Sequence, residues 1–207
     1  MIIHGVNLVD DRDMVVAAMR RDGSFEPESM ARWLAALKPG HVAIDVGAYT
    51  GLYAIAAALA GSAVMAYEPN PTVFARLQQN VMLNGVEVEY QQLAAGNEHG
   101  FRSMWIAHGH MTSAGRLDQR RGGEEIQVRI GRVLSERPVS VMKLDVEGHE
   151  LEVLRGAHAI LERDRPVVIA EALTEGEADQ LVVHMSQYGY MATHADERNL
   201  VFEVADG

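Results

Sequence analysis

The sequence predicts an α/β fold on a doubly wound, mostly parallel seven-stranded sheet that ends in an antiparallel hairpin. Three observations carry that expectation. Buried-strand patterns alternate with helical patterns of about 10–15 residues along most of the chain, the mark of a parallel sheet. Right-handed crossovers then put helices on both faces. The last two strand patterns, "YMATHAD" and "NLVFEV", follow one another without a helix and read as a closing hairpin. The 207 residues, 48% of them hydrophobic, suffice for one such domain spanning 1–207.

The elements follow in order. "PESMARWLAALKPG" is a helix with Met30, Trp33, Leu34 and Leu37 on one face and Pro39-Gly40 as its stop; residues 1–40 form an N-terminal helical cap. "HVAIDV" (41–46) is a buried strand and "GLYAIAAALA" (51–60) an alanine-rich helix stopped by Gly61. "AVMAYEP" (63–69) is the second strand. The helix 71–85 ends in Asn84-Gly85, a good C-terminal cap. "VEVEYQQLA" (86–94) is the third strand. "FRSMWIA" and "EIQVRI" pair as a hairpin within residues 99–130. "VSVMKLDV" (139–146) is the fourth buried strand, "ELEVLRGAHAILER" (150–163) a single helix, "RPVVIAEAL" a strand and "EGEADQLVVHMSQYG" a helix.

The formal charge of −11 argues against binding long polyanions through the overall field. Residues 116–137 depart from it, with Arg116, Arg120, Arg121, Arg129, Arg132 and Arg137; they form a solvated loop and hairpin or a local site for an anion. The chain has no cysteine, so disulfides, thiolate metal sites and cysteine nucleophiles are excluded. No membrane span or signal peptide is expected, and the expected location is cytoplasmic.

Ligands of doubly wound sheets bind beyond the carboxyl ends of the strands. After the first strand, Asp45-Val46-Gly47-Ala48-Tyr49-Thr50-Gly51 makes a glycine-flanked turn into a helix. Gly47 permits the sharp turn, and Gly51 lets the helix start lie close to a ligand. The spacing fits neither the dinucleotide fingerprint nor the Walker loop. Glu68 ends the second strand, where a carboxylate accepts from both ribose hydroxyls of a nucleoside. Lys143, Asp145 and Glu147 alternate at the end of the fourth strand, on one side, with Gly148 giving access. Purely structural readings stay open: a tight turn for the glycines, and a lysine–carboxylate pair at a helix start.

The pattern D-x-G-x-x-x-G resembles motif I of the class I S-adenosylmethionine-dependent methyltransferases. Together, "EPE", "LKPGHVAIDVGAYTG", "YEPNPTVFARLQQNVMLNG", "AAGNEHG", "MKLDVEGHELEVLRGA" and "RPVVIAEA" resemble the FkbM family within that class. The resemblance implies a Rossmann-like sheet and S-adenosyl-L-methionine as cofactor. It places the cofactor against Asp45, Gly47, Ala48, Tyr49, Gly51, Glu68, Pro69, Ala95 and Asp145. It makes residues 99–130 a variable insertion on the substrate side. The chain departs from the family at Tyr49, where asparagine is usual, and at "RIGRVL", where a leucine-aspartate pair is common.

The implied activity is O-methylation of a hydroxyl on a small molecule, a sugar or natural-product intermediate. Catalytic candidates are His149, Asp145, Glu171 and Lys143, with Glu147 also in reach. His149 is favoured as base for its unperturbed pKa and its place at a helix start. Asp145 and Glu171 face one substrate or hold one divalent ion, but no required metal is expected. His99, His108 and His110 lack the fourth ligand of a zinc site. "GHMTSAG" (109–115) reads as a plain loop or a substrate rim. The alternatives are ribose 2′-O-methylation of RNA, which the charge opposes, and a non-catalytic S-adenosylmethionine-binding module, which would not need the fourth-strand charges. The oligomeric state stays open, a homodimer included.

Overall fold

The computed structural model describes residues 1–10, 14–106, 116–117 and 123–204. The chain opens with a small hairpin, β1 (Ile2–Ile3) and β2 (Val6–Asn7), then helices α1 (Met14–Asp22) and α2 (Pro27–Ala35). There follow β3 (Val42–Val46), α3 (Leu52–Leu59), β4 (Ala63–Tyr67), α4 (Pro71–Asn84), β5 (Glu89–Gln91), β6 (Ala94–Ala95), β7 (Gly100–Ile106), β8 (Arg116–Leu117) and β9 (Glu124–Gly131). The remainder is β10 (Val139–Leu144), α5 (Glu150–Gly156), α6 (His158–Asp164), β11 (Val167–Glu171), α7 (Glu175–Ser186), β12 (Tyr190–Ala195) and β13 (Asn199–Val204).

The main sheet has seven strands in the order β12-β13-β11-β10-β3-β4-β5. Its five inner and β5-side strands run parallel, and β13 and β12 add antiparallel as the closing hairpin. From β3 the chain winds outward through β4 to β5, then returns to the other side of β3 with β10. The strand order therefore reverses between β3 and β10, where doubly wound sheets bind ligands. Alternation along each strand feeds two cores. Val42, Ile44, Val46, Met142 and Leu144 pack with the residues of α5–α7. Ala43, Val141 and Ile169 pack on the other face with Trp33 of α2 and the apolar residues of α3.

Three expectations need correction. The N-terminal cap is not only helical, because β1 and β2 precede its two helices. The expected third strand is two: β5 closes the main sheet, and β6 pairs in parallel with β9 in a second, four-stranded sheet. The chain changes direction between them to bury Leu93 and Ala95 in the α5-side core. The helix expected over 150–163 is broken at Ala157, which has φ −92° and ψ 10°. The break adjoins Gly156, where a Cβ would lie 2.1 Å from the Gly96 carbonyl oxygen. The hairpin expected of residues 99–130 forms, with Gly100 opposite Ile130 and Ile106 opposite Glu124. Among the described residues, no helix is long and apolar enough to cross a membrane.

Candidate active site

A cavity of about 620 Å³ opens over the carboxyl ends of β3, β4, β10 and β11, with α1 and the residues up to Glu26 forming its outer wall. The glycine-flanked turn makes one side. Gly47 has φ 78°, and a Cβ there would stand 1.8 Å from the Asp145 carbonyl oxygen. Its glycine is thus demanded by the neighbouring strand. Gly51 has φ 92°, and a Cβ there would stand 2.4 Å from Leu77 Cδ1 of α4. Gly51 packs against protein and is not among the cavity-lining residues, unlike Gly47, Ala48, Tyr49 and Thr50. Close approach to a ligand is therefore not the reason for Gly51.

The turn's N–H groups are largely engaged within the protein. Those of Gly47 and Ala48 donate to the Tyr67 carbonyl at 2.9 and 3.0 Å. That of Tyr49 donates to Glu68 Oε2 at 3.1 Å. Tyr49 holds φ 51°, a left-handed conformation that asparagine adopts more readily than tyrosine. The Thr50 side chain is buried, lines the cavity, and its hydroxyl has no hydrogen-bond partner among the described residues. Asn80 of α4 holds the turn from behind, its Nδ2 donating to the Thr50 carbonyl at 2.8 Å while its Oδ1 accepts from the Val9 N–H at 2.9 Å.

The carboxylates are arranged strand by strand. Asp45 is 2% exposed and accepts from the Ala54 N–H of α3 at 3.0 Å. Burial pushes it up to about 7 against the opposing pull of Lys143 and that N–H. Glu68 accepts from the Tyr49 and Asn70 N–H groups, and burial pushes it up to about 8 despite both bonds. Glu171, at the end of β11, is pushed up to about 8 by burial and by Asp145, with Lys143 opposing. Its Oε2 is buried without a hydrogen-bond partner among the described residues.

Lys143 sits opposite Asp45 in the register of β10 on β3 and is 1% exposed. Its Nζ lies 3.3 Å from Asp145 Oδ2, 3.2 Å from Asn199 Oδ1 and 3.9 Å from Glu26 Oε2, and 5.4 Å from the centre of the Tyr53 ring. Burial works against the ammonium, yet Asp145, Glu26, Glu171 and Asp45 together raise its pKa. Lys143 is therefore a fixed cation and not a proton acceptor. Glu26 also accepts from the Tyr53 hydroxyl at 2.7 Å.

The structure brings Asp45, Gly47, Ala48, Tyr49, Glu68, Lys143, Asp145, Glu147 and Glu171 to one cavity. Pro69 and Ala95 line an adjoining recess of about 40 Å³ together with Glu68 and Asp145. His149 lines neither. It precedes α5, and a Cβ on Gly96 would lie 3.2 Å from its Nε2, so its ring is turned toward β6. Of the basic segment, Arg132 donates to the Asn97 carbonyl and Arg137 pairs with Glu89, away from the cavity. His108, His110, Arg120, Arg121, residues 109–115 and the Arg116 side chain fall outside what the structure describes. Among the described residues, no three His, Asp or Glu side chains are grouped to hold a metal ion.

Sequence reasoning did not single out Thr50, Tyr53, Asn80, Asn199 or the role of Glu26. Glu150 also escaped it. That residue is buried and its Oε1 accepts from the Val146 and Gly148 N–H groups at 2.9 and 3.3 Å, bracing the turn after β10. The "EPE" and "EGHE" strings were the available signals for Glu26 and Glu150.

This sheet order, with a glycine turn at the reversal and acids at the strand ends, defines the class I, Rossmann-like methyltransferase fold. Residues 45–192 match the model of the methyltransferase FkbM domain, and the chain belongs to that family. It is 30% identical to the 31-O-demethyl-FK506 methyltransferase FkbM of Streptomyces tacrolimicus, over 74% of each protein. It is 32% identical to the hexuronic acid methyltransferase AglP of Haloferax volcanii, over 60% of this chain and 53% of that one. Among solved structures, methyltransferase FkbM from Methylobacillus flagellatus superposes with a TM-score of 0.57 at 15% identity. That match covers 79% of this chain but only 43% of the other, so the chain spans less than half of that protein's length.

Proposed function

We propose that this protein uses S-adenosylmethionine to methylate a hydroxyl oxygen of a small molecule. The observation that carries the reading is the acid-lined cavity at the strand reversal, with one carboxylate ending each of β4 and β11 and Asp45 and Asp145 between them. Its volume suits a cofactor of drug-like size. The cofactor's sulfonium and ammonium are positive, so buried carboxylates raised in pKa by burial regain their charge beside them. Glu68 keeps a lone pair on each oxygen beyond its backbone bonds, enough to accept from two ribose hydroxyls. The partnerless Thr50 hydroxyl provides a donor for the cofactor's carboxylate. Gly47, Ala48, Tyr49 and Asp145 complete that wall, and Pro69 and Ala95 the recess beside it.

Bound there, the cofactor supplies an electrophilic methyl group for in-line displacement by an oxygen. The protein's part is to place the acceptor hydroxyl, exclude water and take its proton. Glu171 suits the last task. It has a free acceptor atom at the cavity, and a pKa near 8 that the cofactor's positive charge lowers toward neutrality. Lys143 holds Asp145 in place and stays charged. His149, turned toward Gly96, is not required by this geometry.

The acceptor is a sugar or natural-product intermediate, in line with the acceptors in the relatives' names. The acidic lining disfavours RNA, and the set of Lys143, Asp145 and Glu171 supports catalysis over mere cofactor binding. Calorimetry with S-adenosylhomocysteine tests the reading. Binding is expected, and Glu68→Gln should weaken it by about 1–3 kcal/mol through loss of charge-assisted bonds. Unchanged affinity in the variant would remove Glu68 from the ribose site. No binding by the parent protein would end the proposal.

A further inference from the structure

Asn199 opens β13 directly opposite Glu171, the last residue of β11, in their antiparallel register. Side chains paired in this way stand on one face of the sheet, with Cβ atoms about 4.5–5.5 Å apart. Two residues further into the sheet, Val201 and Ile169 pack in the α3-side core. Asn199 and Glu171 therefore continue that face toward the strand ends, and both line the cavity. Lys143 stands on the same face, opposite Ile169. The Ala172 N–H donates to the Arg198 carbonyl at 2.8 Å, which holds the hairpin turn to the end of β11 and fixes the pair.

The direction of the Asn199 amide is set by charge. An ammonium only donates, so the atom 3.2 Å from Lys143 Nζ has to be the amide oxygen. The Nδ2, with two N–H donors, is then turned away from the lysine. Among the described residues nothing accepts from it, although Asn199 is only 1% exposed. Across the pair, Glu171 Oε2 is buried and equally without a partner among the described residues. A donor and an acceptor, both desolvated and both unsatisfied, therefore stand side by side on one cavity wall. Groups of this kind are costly unless a ligand completes them.

The cofactor reading puts S-adenosylmethionine against the turn after β3 and the end of β4. β11 and β13 lie on the other side of β10, so this pair falls to the acceptor. We propose that Asn199 binds the reacting hydroxyl, its Nδ2 donating to the oxygen while the hydroxyl donates to Glu171. This rests on the methyltransferase reading and adds a substrate-binding residue to it. A hydroxyl has one donor and two lone pairs. With its hydrogen on Glu171 and one lone pair on Asn199, the other lone pair is left for the methyl group. The oxygen forms its bond to the methyl carbon as the carbon–sulfur bond breaks. The electron pair of that bond stays on sulfur, and the hydroxyl proton passes to Glu171. A group that only donates, such as an ammonium, or only accepts, such as an ether, completes half of the pair and leaves a buried polar atom unmatched. The pair thus selects an oxygen carried as a hydroxyl.

The test uses the full chain saturated with S-adenosylhomocysteine. Calorimetry reads that loading first, and its failure would defeat the methyltransferase reading itself. Cyclohexanol is the probe, one hydroxyl on an uncharged ring that the cavity can hold, titrated through the millimolar range. The side-chain amide resonances of Asn199, assigned through bonds from its own backbone, should shift saturably in proton–nitrogen spectra. Asn199→Asp keeps an oxygen for Lys143 but has no N–H to give, so a residue that merely held the lysine would tolerate it. The variant should bind cyclohexanol about threefold to tenfold more weakly than the parent, the effect of one lost hydrogen bond. If it does not fold, the spectra of the parent protein decide alone. An Asn199 amide that cyclohexanol does not move, undiminished affinity in Asn199→Asp, or no binding of cyclohexanol would overturn the proposal while leaving cofactor binding intact.

Discussion

Glu171 is the side chain proposed here as the base. The proposal stands on its buried, partnerless oxygen at the end of β11 and on a carboxyl that burial pushes up to about 8. Glu171→Gln should lower kcat by about 10²–10⁴-fold, with affinity for S-adenosylhomocysteine little changed. In the parent enzyme the rate should rise with pH as the carboxyl loses its proton, and in the variant that rise should vanish. His149→Ala is the control: if it, and not Glu171→Gln, abolishes turnover, the base is the histidine. Most residues of the candidate site were legible because strand alternation and strand ends are written in the sequence: Asp45, Glu68, Lys143, Asp145 and Glu171 all lie at such ends. The place of His149 was not legible, because intrinsic pKa says nothing of direction, and the start of α5 turns its ring toward Gly96. Tyr53 and Asn199 were invisible because each reaches Lys143 from an element distant in sequence.

The strand–turn–helix unit from β3 to α3 shows how elements fit each other. Both of its glycines have positive φ, but a new Cβ would meet different obstacles. At Gly47 it is the rigid backbone of the residue after β10; at Gly51 it is the flexible end of Leu77. Gly47→Ala should therefore cost about 3–5 kcal/mol, combining strain with a clash that has no outlet. Gly51→Ala should cost about 1–2 kcal/mol, since Leu77 can shift. Urea unfolding of the two variants measures the difference, and a reversed order would refute the packing explanation. Element types were well marked in the sequence, as with the α4 stop at Gly85, which has φ 63°. The breaks were not. Gly156 weakens the helix locally but does not by itself set a break at Ala157, because the Gly96 carbonyl that crowds Gly156 comes from another part of the chain. Likewise the split of β5 from β6 depends on which sheet β9 joins.

Across the whole molecule, the buried acids couple stability to pH. Asp45 and Glu150 are pushed up to about 7 and Glu68 and Glu171 to about 8, in each case first by burial. The unfolded chain titrates these groups near 4. The folded state thus holds more protons between roughly pH 4 and 8, so their contribution is full below the lower limit and is lost as pH rises through the folded values. The thermal midpoint of the ligand-free protein should fall from pH 5 to pH 8, and Glu68→Gln should flatten the decline. A midpoint that rises over that range would contradict the burial of these acids. The same linkage makes cofactor binding proton-coupled: a cation entering the cavity expels protons from these carboxyls.

Six described non-glycine residues hold left-handed backbone, and four of them, Glu26, Tyr49, Glu147 and Asp196, line the cavity. Each such conformation costs roughly 1–2 kcal/mol for an ordinary side chain. The protein is thus least relaxed where it is most specialised. For an engineer seeking heat resistance, the rim is the wrong place to look, because a glycine there would relax the backbone and remove a side chain that lines the cavity. The other two, His4 and Arg165, lie outside the cavity lining, and Arg165 closes α6 at the position where glycine is the favoured helix terminator. Thermal robustness and catalytic shape can therefore be adjusted separately in this chain.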